Sequence, residues 1–134
     1  IRDQPRSRGL GDVYKRQVQM AVVTSSNDQK MAAVYRARPE VRTMFDRILT
    51  AEMFTRSKPA PDCFLLGMEV FGTTPDTTYV FEDSFNGLKA GMASEATVIG
   101  LATTNPRESI APLCHCVLDD FRGFTYDKML QVHK

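Results

Sequence analysis

Apolar runs of four to six residues recur along this chain, and longer stretches with apolar residues at helical spacing separate them. That rhythm restricts the fold more than any other feature. A short run rich in Val, Ile or Leu is shaped for a strand buried on both faces, and parallel neighbours can be joined only through a crossover long enough to hold a helix. Strands are predicted at 19–24, 47–50, 78–81, 97–101 and 116–118, and helices at 28–37, 61–71, 85–94, 106–112 and 126–133. Ser26 or Asn27 can cap the first helix, Pro61 suits a first helical position, and Asn105-Pro106 repeats that logic. There are no internal repeats, low-complexity tracts or linkers, so the expected fold class is a single α/β domain, a Rossmann-like parallel sheet flanked by helices.

Residues 1–17 stand outside this rhythm. Read back into codons, Gly11 to Gln17 fits GGA GAT GTG TAT AAG AGA CAG, which resembles the mosaic end of transposase-based sequencing libraries. Ser7 to Leu10 and Ile1 to Asp3 fit further adapter segments, with room for a barcode at Gln4, Pro5 and Arg6. The expectation is therefore an adapter-derived segment at 1–17 and a partial domain at 18–134, with segments of translated vector or adapter set aside before the fold is argued.

Setting residues 1–17 aside changes the charge balance. The remainder has 12 Lys/Arg and 14 Asp/Glu, a formal charge of −2 in place of +1 for the whole sequence. It carries no basic patch or charge run, so neither nucleic acid nor an anionic membrane is an expected partner. No apolar run approaches the ~20 residues that span a bilayer. A hydrophobic content of 43% suffices for a core. Cys63, Cys114 and Cys116 make an odd count without framework spacing, which fits a reducing, cytoplasmic setting. Cys114-His115-Cys116 lacks the second cluster that a zinc site needs, and is read as alternating residues of a short strand.

In an open α/β sheet, ligands bind beyond the carboxyl ends of the strands. Three stretches lie there: Thr24-Ser25-Ser26-Asn27, Ser57-Lys58-Pro59 and Glu82-Asp83-Ser84. Each alone has an ordinary explanation as a cap, a solvated lysine or surface acids. Together they supply a hydrogen-bond donor, a fixed cation and a carboxylate anchor for a hard cation such as Mg²⁺, the parts needed to grip a transferring phosphoryl group.

"VVTSS", "SKPAPDCF" and "VFEDSFNGLKAG", in this order, resemble the second, third and fourth motifs of the haloacid dehalogenase superfamily, in the branch of β-phosphoglucomutase and the sugar-phosphate phosphatases. The resemblance runs from about Met20 to Phe121. It implies that Thr24 hydrogen-bonds the phosphate, with Ser25, Ser26 and Asn27 lining the same pocket, and that Lys58 neutralises charge between nucleophile and phosphate. It implies that Asp83 is a Mg²⁺ ligand and Glu82 a second or water-mediated one. Ser84 and Asn86 would shape that loop, and Gly87 would allow close helix packing. The implied substrate is a small phosphorylated metabolite of sugar type, handled by a monomer through an aspartyl-phosphate, with a phosphatase expected ahead of the mutase alternative.

The first motif of the superfamily, an apolar strand ending in Asp-x-Asp, is absent, as is the cap domain that follows it; no Asp-x-Asp occurs anywhere in the sequence. Asp119-Asp120 follows an apolar stretch but comes last, and is read as a polar strand end. By the resemblance, the missing strand lies between the one ending at Thr24 and the one ending at Glu82. Its loss removes the nucleophile and two strand ladders, so the chain itself is expected to be inactive and prone to aggregate. A receiver-like signalling domain also combines acids, a hydroxyl and a lysine, but in the order acids, acceptor Asp, Thr, Lys; here Thr24 precedes Lys58 and Lys58 precedes Asp83. A non-catalytic binding domain is the remaining alternative, and a close approach of the three residues argues against it.

Overall fold

The computed structural model describes residues 18–134, so the reading of 1–17 as adapter lies outside the described residues. From there the chain alternates strand and helix. β1 (Ala21–Val23) leads into α1 (Asp28–Ala37), the short α2 (Val41–Met44) and β2 (Arg47–Leu49). A 3₁₀ turn at Ala51–Met53 and a loop precede α3 (Asp62–Phe71), and β3 (Tyr79–Glu82) runs straight into α4 (Phe85–Ala93). β4 (Thr97–Leu101), α5 (Arg107–Ile110), a 3₁₀ turn at Ala111–Leu113, β5 (Cys116–Leu118) and α6 (Tyr126–Leu130) complete the order.

All five expected strands and all five expected helices are present, with shifted ends. Pro61 and Pro106 stand one residue earlier than expected, at the N-caps of α3 and α5, and the helix expected over 106–112 divides into α5 and a 3₁₀ turn. α2 was not foreseen, because four residues are too few to show a helical period. The local signals explain the other ends. Asn27 caps α1 by accepting from the Lys30 N–H at 2.8 Å, and Ser84 caps α4 by accepting from the Gly87 N–H at 3.0 Å. Gly72 closes α3 in the left-handed region at φ 67°, where a Cβ would be strained.

Among the described residues every strand pair is parallel, and the strands form two sheets. β1 pairs with β2, Val22 opposite Ile48. The second sheet has the order β3-β4-β5, with Val80 opposite Val98 and Gly100 opposite Val117. Among the described residues no ladder joins β1 to β3. The core sits beneath the three-stranded sheet: Cys63, Phe64 and Met68 of α3 and Leu88 and Ala90 of α4 pack with Val80, Val98 and Ile110. Val23 of β1 packs against the same cluster, so apolar contact ties the smaller sheet to the larger one.

Cys114 lies at a bend before β5 rather than in it, so the run Cys114-His115-Cys116 does not alternate along a strand as expected. His115 instead extends the β4–β5 pairing: its N–H donates to Val98 O at 2.8 Å and its Nδ1 accepts from the Val98 N–H at 2.9 Å. With Nδ1 committed to a backbone donor, the triplet has lost a metal-binding nitrogen. No helix among the described residues is long and apolar enough to cross a membrane.

Candidate functional site

The loops after β1 and β3 emerge on one side, because parallel strands all present their carboxyl ends there. Lys58 reaches that edge from the loop ahead of α3. Its Nζ donates to Val23 O, the last carbonyl of β1, at 3.2 Å, and to Glu82 Oε2, at the end of β3, at 2.6 Å. Both side chains are nearly out of solvent, 10% exposed for Lys58 and 11% for Glu82. The ring of Phe64 lies with its centroid 5.3 Å from the same ammonium. The loop carrying Lys58 is fastened by Arg56, whose guanidinium grips both oxygens of Asp62 at 2.9 and 3.2 Å while its N–H donates to Oδ2 at 3.2 Å. The guanidinium bond holds the Asp62 carboxyl below its usual range and raises Arg56 in return.

Glu82 Oε1 accepts from the Ser84 hydroxyl at 3.3 Å. Asp83 is differently engaged: its Oδ2 accepts from Thr104 Oγ1 at 2.5 Å, and its backbone carbonyl accepts from Asn105 Nδ2 at 3.3 Å. Asp83 Oδ1 has no hydrogen-bond partner among the described residues.

After β1, Thr24 Oγ1 accepts from the Ser26 N–H at 3.0 Å. The Asn27 side chain is the cap of α1, and the Asp28 N–H donates to the Glu52 carboxylate at 2.8 Å. The N-terminus of α1 therefore already faces a protein carboxylate, which leaves it poorly suited to a second anion.

A cleft of about 460 Å³ opens at this edge, lined by Ser25, Lys58, Ser84, Phe85, Asn86 and Asn105. Among the residues singled out in the sequence, Ser25, Lys58, Ser84 and Asn86 reach it directly. Thr24, Ser26, Asn27, Glu82 and Asp83 are not among its lining residues, and Glu82 is joined to it through its pairing with Lys58. Asn105, Thr104 and Phe85 were not anticipated as site residues. Asn105 had been visible only as a helix-start signal, and the signal that could have found it is its position just beyond the end of β4.

A divalent cation would find an incomplete protein shell here. Among the described residues no three His, Cys, Asp or Glu gather into a metal cluster, and both oxygens of Glu82 are in use. One or two carboxylates are nonetheless what Mg²⁺ commonly takes from a protein, with phosphate and water supplying the rest. Asp83, with one oxygen free among the described residues, and the adjacent Glu82 fit that donor set in kind.

The model of the haloacid dehalogenase-like hydrolase family matches residues 7–101. The chain belongs to this family. Within it, the chain is 38% identical over 96 residues to a β-phosphoglucomutase of Mycobacterium bovis, covering 70% of this chain and 37% of that protein. It is 33% identical over 94 residues to hexitol phosphatase A of Escherichia coli, covering 69% of this chain and 42% of that protein. The crystal structure of CbbY from Rhodobacter sphaeroides in complex with phosphate superposes with a TM-score of 0.73 at 28% identity, covering 87% of this chain and 53% of that one. The chain thus spans about half, or less, of the length of these haloacid dehalogenase-like relatives.

Proposed function

We propose that the protein to which this chain belongs transfers phosphoryl groups with Mg²⁺, acting as a phosphatase on a small sugar-phosphate-type metabolite. The observation that carries the reading is one ammonium, Lys58 Nζ, fixed between the ends of β1 and β3 in a cleft rimmed by Ser25, Ser84, Asn86 and Asn105. A phosphate needs such a set: a fixed cation for its charge and hydroxyl and amide donors for its oxygens, held in place before the reaction. Lys58 and Thr24 take the catalytic roles in this reading, with Thr24, Ser25, Ser26, Asn27 and Lys58 about the phosphate. Asn27 enters only by capping α1 at the end of that loop.

Asp83 would hold the Mg²⁺ through Oδ1, with Glu82, both of whose oxygens are engaged, as a water-mediated ligand, and the ion would supply charge neutralisation at the transferring group. The reaction would need an aspartate nucleophile of the Asp-x-Asp type, which this sequence does not contain, and its attack would give an aspartyl-phosphate. Both phosphatases and a β-phosphoglucomutase stand among the relatives, so a mutase is the second reading; hydrolysis is preferred as the commoner outcome in this branch. A full-length homologous protein carrying these residues is assayed for phosphate release from a panel of sugar phosphates, with and without Mg²⁺. Metal-dependent release that Lys58→Ala abolishes is the expected result, and release indifferent to both would refute the proposal.

A further inference from the structure

The space above the Cα of Gly87 is already filled. A Cβ built there would lie 2.1 Å from Glu82 Oε1, 2.2 Å from its carboxylate carbon and 2.7 Å from Oε2. Real Cβ atoms essentially never approach a non-bonded heavy atom within 3.0 Å. The missing side chain of Gly87 is therefore the seat of the Glu82 carboxylate, which lies over the first turn of α4 and from there reaches Lys58 Nζ at 2.6 Å. The same turn fixes the seat from the other side: the Gly87 N–H donates to Ser84 Oγ at 3.0 Å, and that hydroxyl donates to Glu82 Oε1 at 3.3 Å.

From this geometry we infer that Gly87 is a positioning residue for the site, setting where the Glu82 carboxylate stands and, through it, where Lys58 points. The colliding atoms are the far end of a flexible side chain rather than backbone, so an added methyl group is relieved by expelling the carboxylate, with the helix left in place. The consequence falls on Lys58. With Glu82 displaced, its ammonium keeps Val23 O and loses its anionic partner. Gly67, within α3, marks the contrast: a Cβ there would meet its nearest neighbour, Leu49 Cδ1, at an ordinary 3.8 Å. A methyl group at 87 would therefore displace the Glu82 carboxylate, and one at 67 would displace nothing.

The test uses the full 134-residue chain and needs no turnover. Each variant is labelled with acetic anhydride under native conditions, and the reactivity of Lys58 is read by mass spectrometry against the exposed Lys89 as internal reference. Gly87→Ala is expected to raise Lys58 labelling severalfold, Glu82→Gln to raise it likewise, and Gly67→Ala to leave it unchanged. Glu82→Asp withdraws the carboxylate by one methylene, so the pair Gly87→Ala/Glu82→Asp should lose less stability from the alanine than Gly87→Ala does alone. Should Gly87→Ala fail to fold, folding of the double variant still supports the inference, and failure of both overturns it. Lys58 labelling in a folded Gly87→Ala variant that matches the parent chain, while Glu82→Gln raises it, would equally overturn it.

Discussion

The ammonium of Lys58 lies 2.6 Å from the Glu82 carboxylate and 3.2 Å from the carbonyl of Val23, so one side chain from a loop touches the ends of strands in both sheets. Removing such a pair from water is costly unless the geometry is good and further hydrogen bonds occupy the remaining sites. Here Val23 O serves the lysine and Ser84 Oγ serves the glutamate. The arrangement is thus both a structural brace and, in the proposed function, the cationic element of the phosphate cleft.

Truncating one partner should be worse than replacing both. Lys58→Met leaves Glu82 buried beside no cation and is expected to cost about 3 kcal/mol in urea unfolding, while Lys58→Met/Glu82→Leu costs less. A loss for Lys58→Met well below about 1 kcal/mol would mean that solvent already screens the pair.

Thr104 fixes which oxygen of Asp83 is free. Thr104→Val removes the donor to Oδ2, leaves the carboxylate able to rotate, and is expected to weaken Mg²⁺ binding about tenfold, the usual scale for a group orienting a ligand. Titration calorimetry with Mg²⁺ on the folded chain reads this, and equal affinity would remove Thr104 from the site.

The Arg56–Asp62 clasp has a definite pH sign. The folded-state pKa of Asp62 is depressed by its Arg56 bond, so the folded chain releases this proton more readily than the unfolded one. The clasp's contribution is therefore present above the ordinary carboxylate pKa and is lost as pH falls through the depressed value. The stability difference between the parent chain and Asp62→Asn should vanish in acid and shrink in high salt, since the pair is near the surface. A difference that grew on acidification would reverse the assignment.

Cys63 is completely buried, and burial pushes its thiol pKa up, with Cys114 raised by the same cause to a site less enclosed. The thiolate is the reactive form. Alkylation of the native chain with iodoacetamide, followed by mass spectrometry, should modify Cys63 last of the three. Early modification of Cys63 would show that α3 opens readily from the core.

The 134-residue chain should release no phosphate from any ester, with or without Mg²⁺, because the attacking carboxylate of the proposed mechanism has no counterpart in it. Mg²⁺-dependent turnover by the purified chain would show that the Asp-x-Asp strand is dispensable.

The sequence made the alternation of elements legible because buried parallel strands are apolar without interruption, and that signal needs no tertiary context. Lys58 was legible as a site residue through its place between Ser57 and Pro59 ahead of a helix. Its partner was not, since nothing in a run of letters tells whether Glu82 faces a metal or an ammonium. Thr104 and Asn105 were missed for a related reason: they follow β4, and only the β3–β4 pairing brings them to the backbone and carboxylate of Asp83. In the sequence Gly87 is legible only as a packing residue for a helix; in the fold it accommodates a carboxylate, a contact created by Glu82 folding back across a single turn.

Among the described residues the two sheets share no ladder, so they need not open together. Strand β4 is hydrogen-bonded on both sides, and Val98 and Ile99 within it are fully buried, so its amides should exchange with deuterated solvent only on global unfolding. The amides of β1 and β2 are secured by one ladder, by Val23 against the core and by Lys58, and should exchange through an opening of lower free energy. The cleft lies across that seam, with Ser25 on one bank and Ser84 to Asn86 on the other. An anion held by both banks would fasten the more labile sheet to the more stable one, and slowed exchange in β1 on addition of phosphate would be the visible sign.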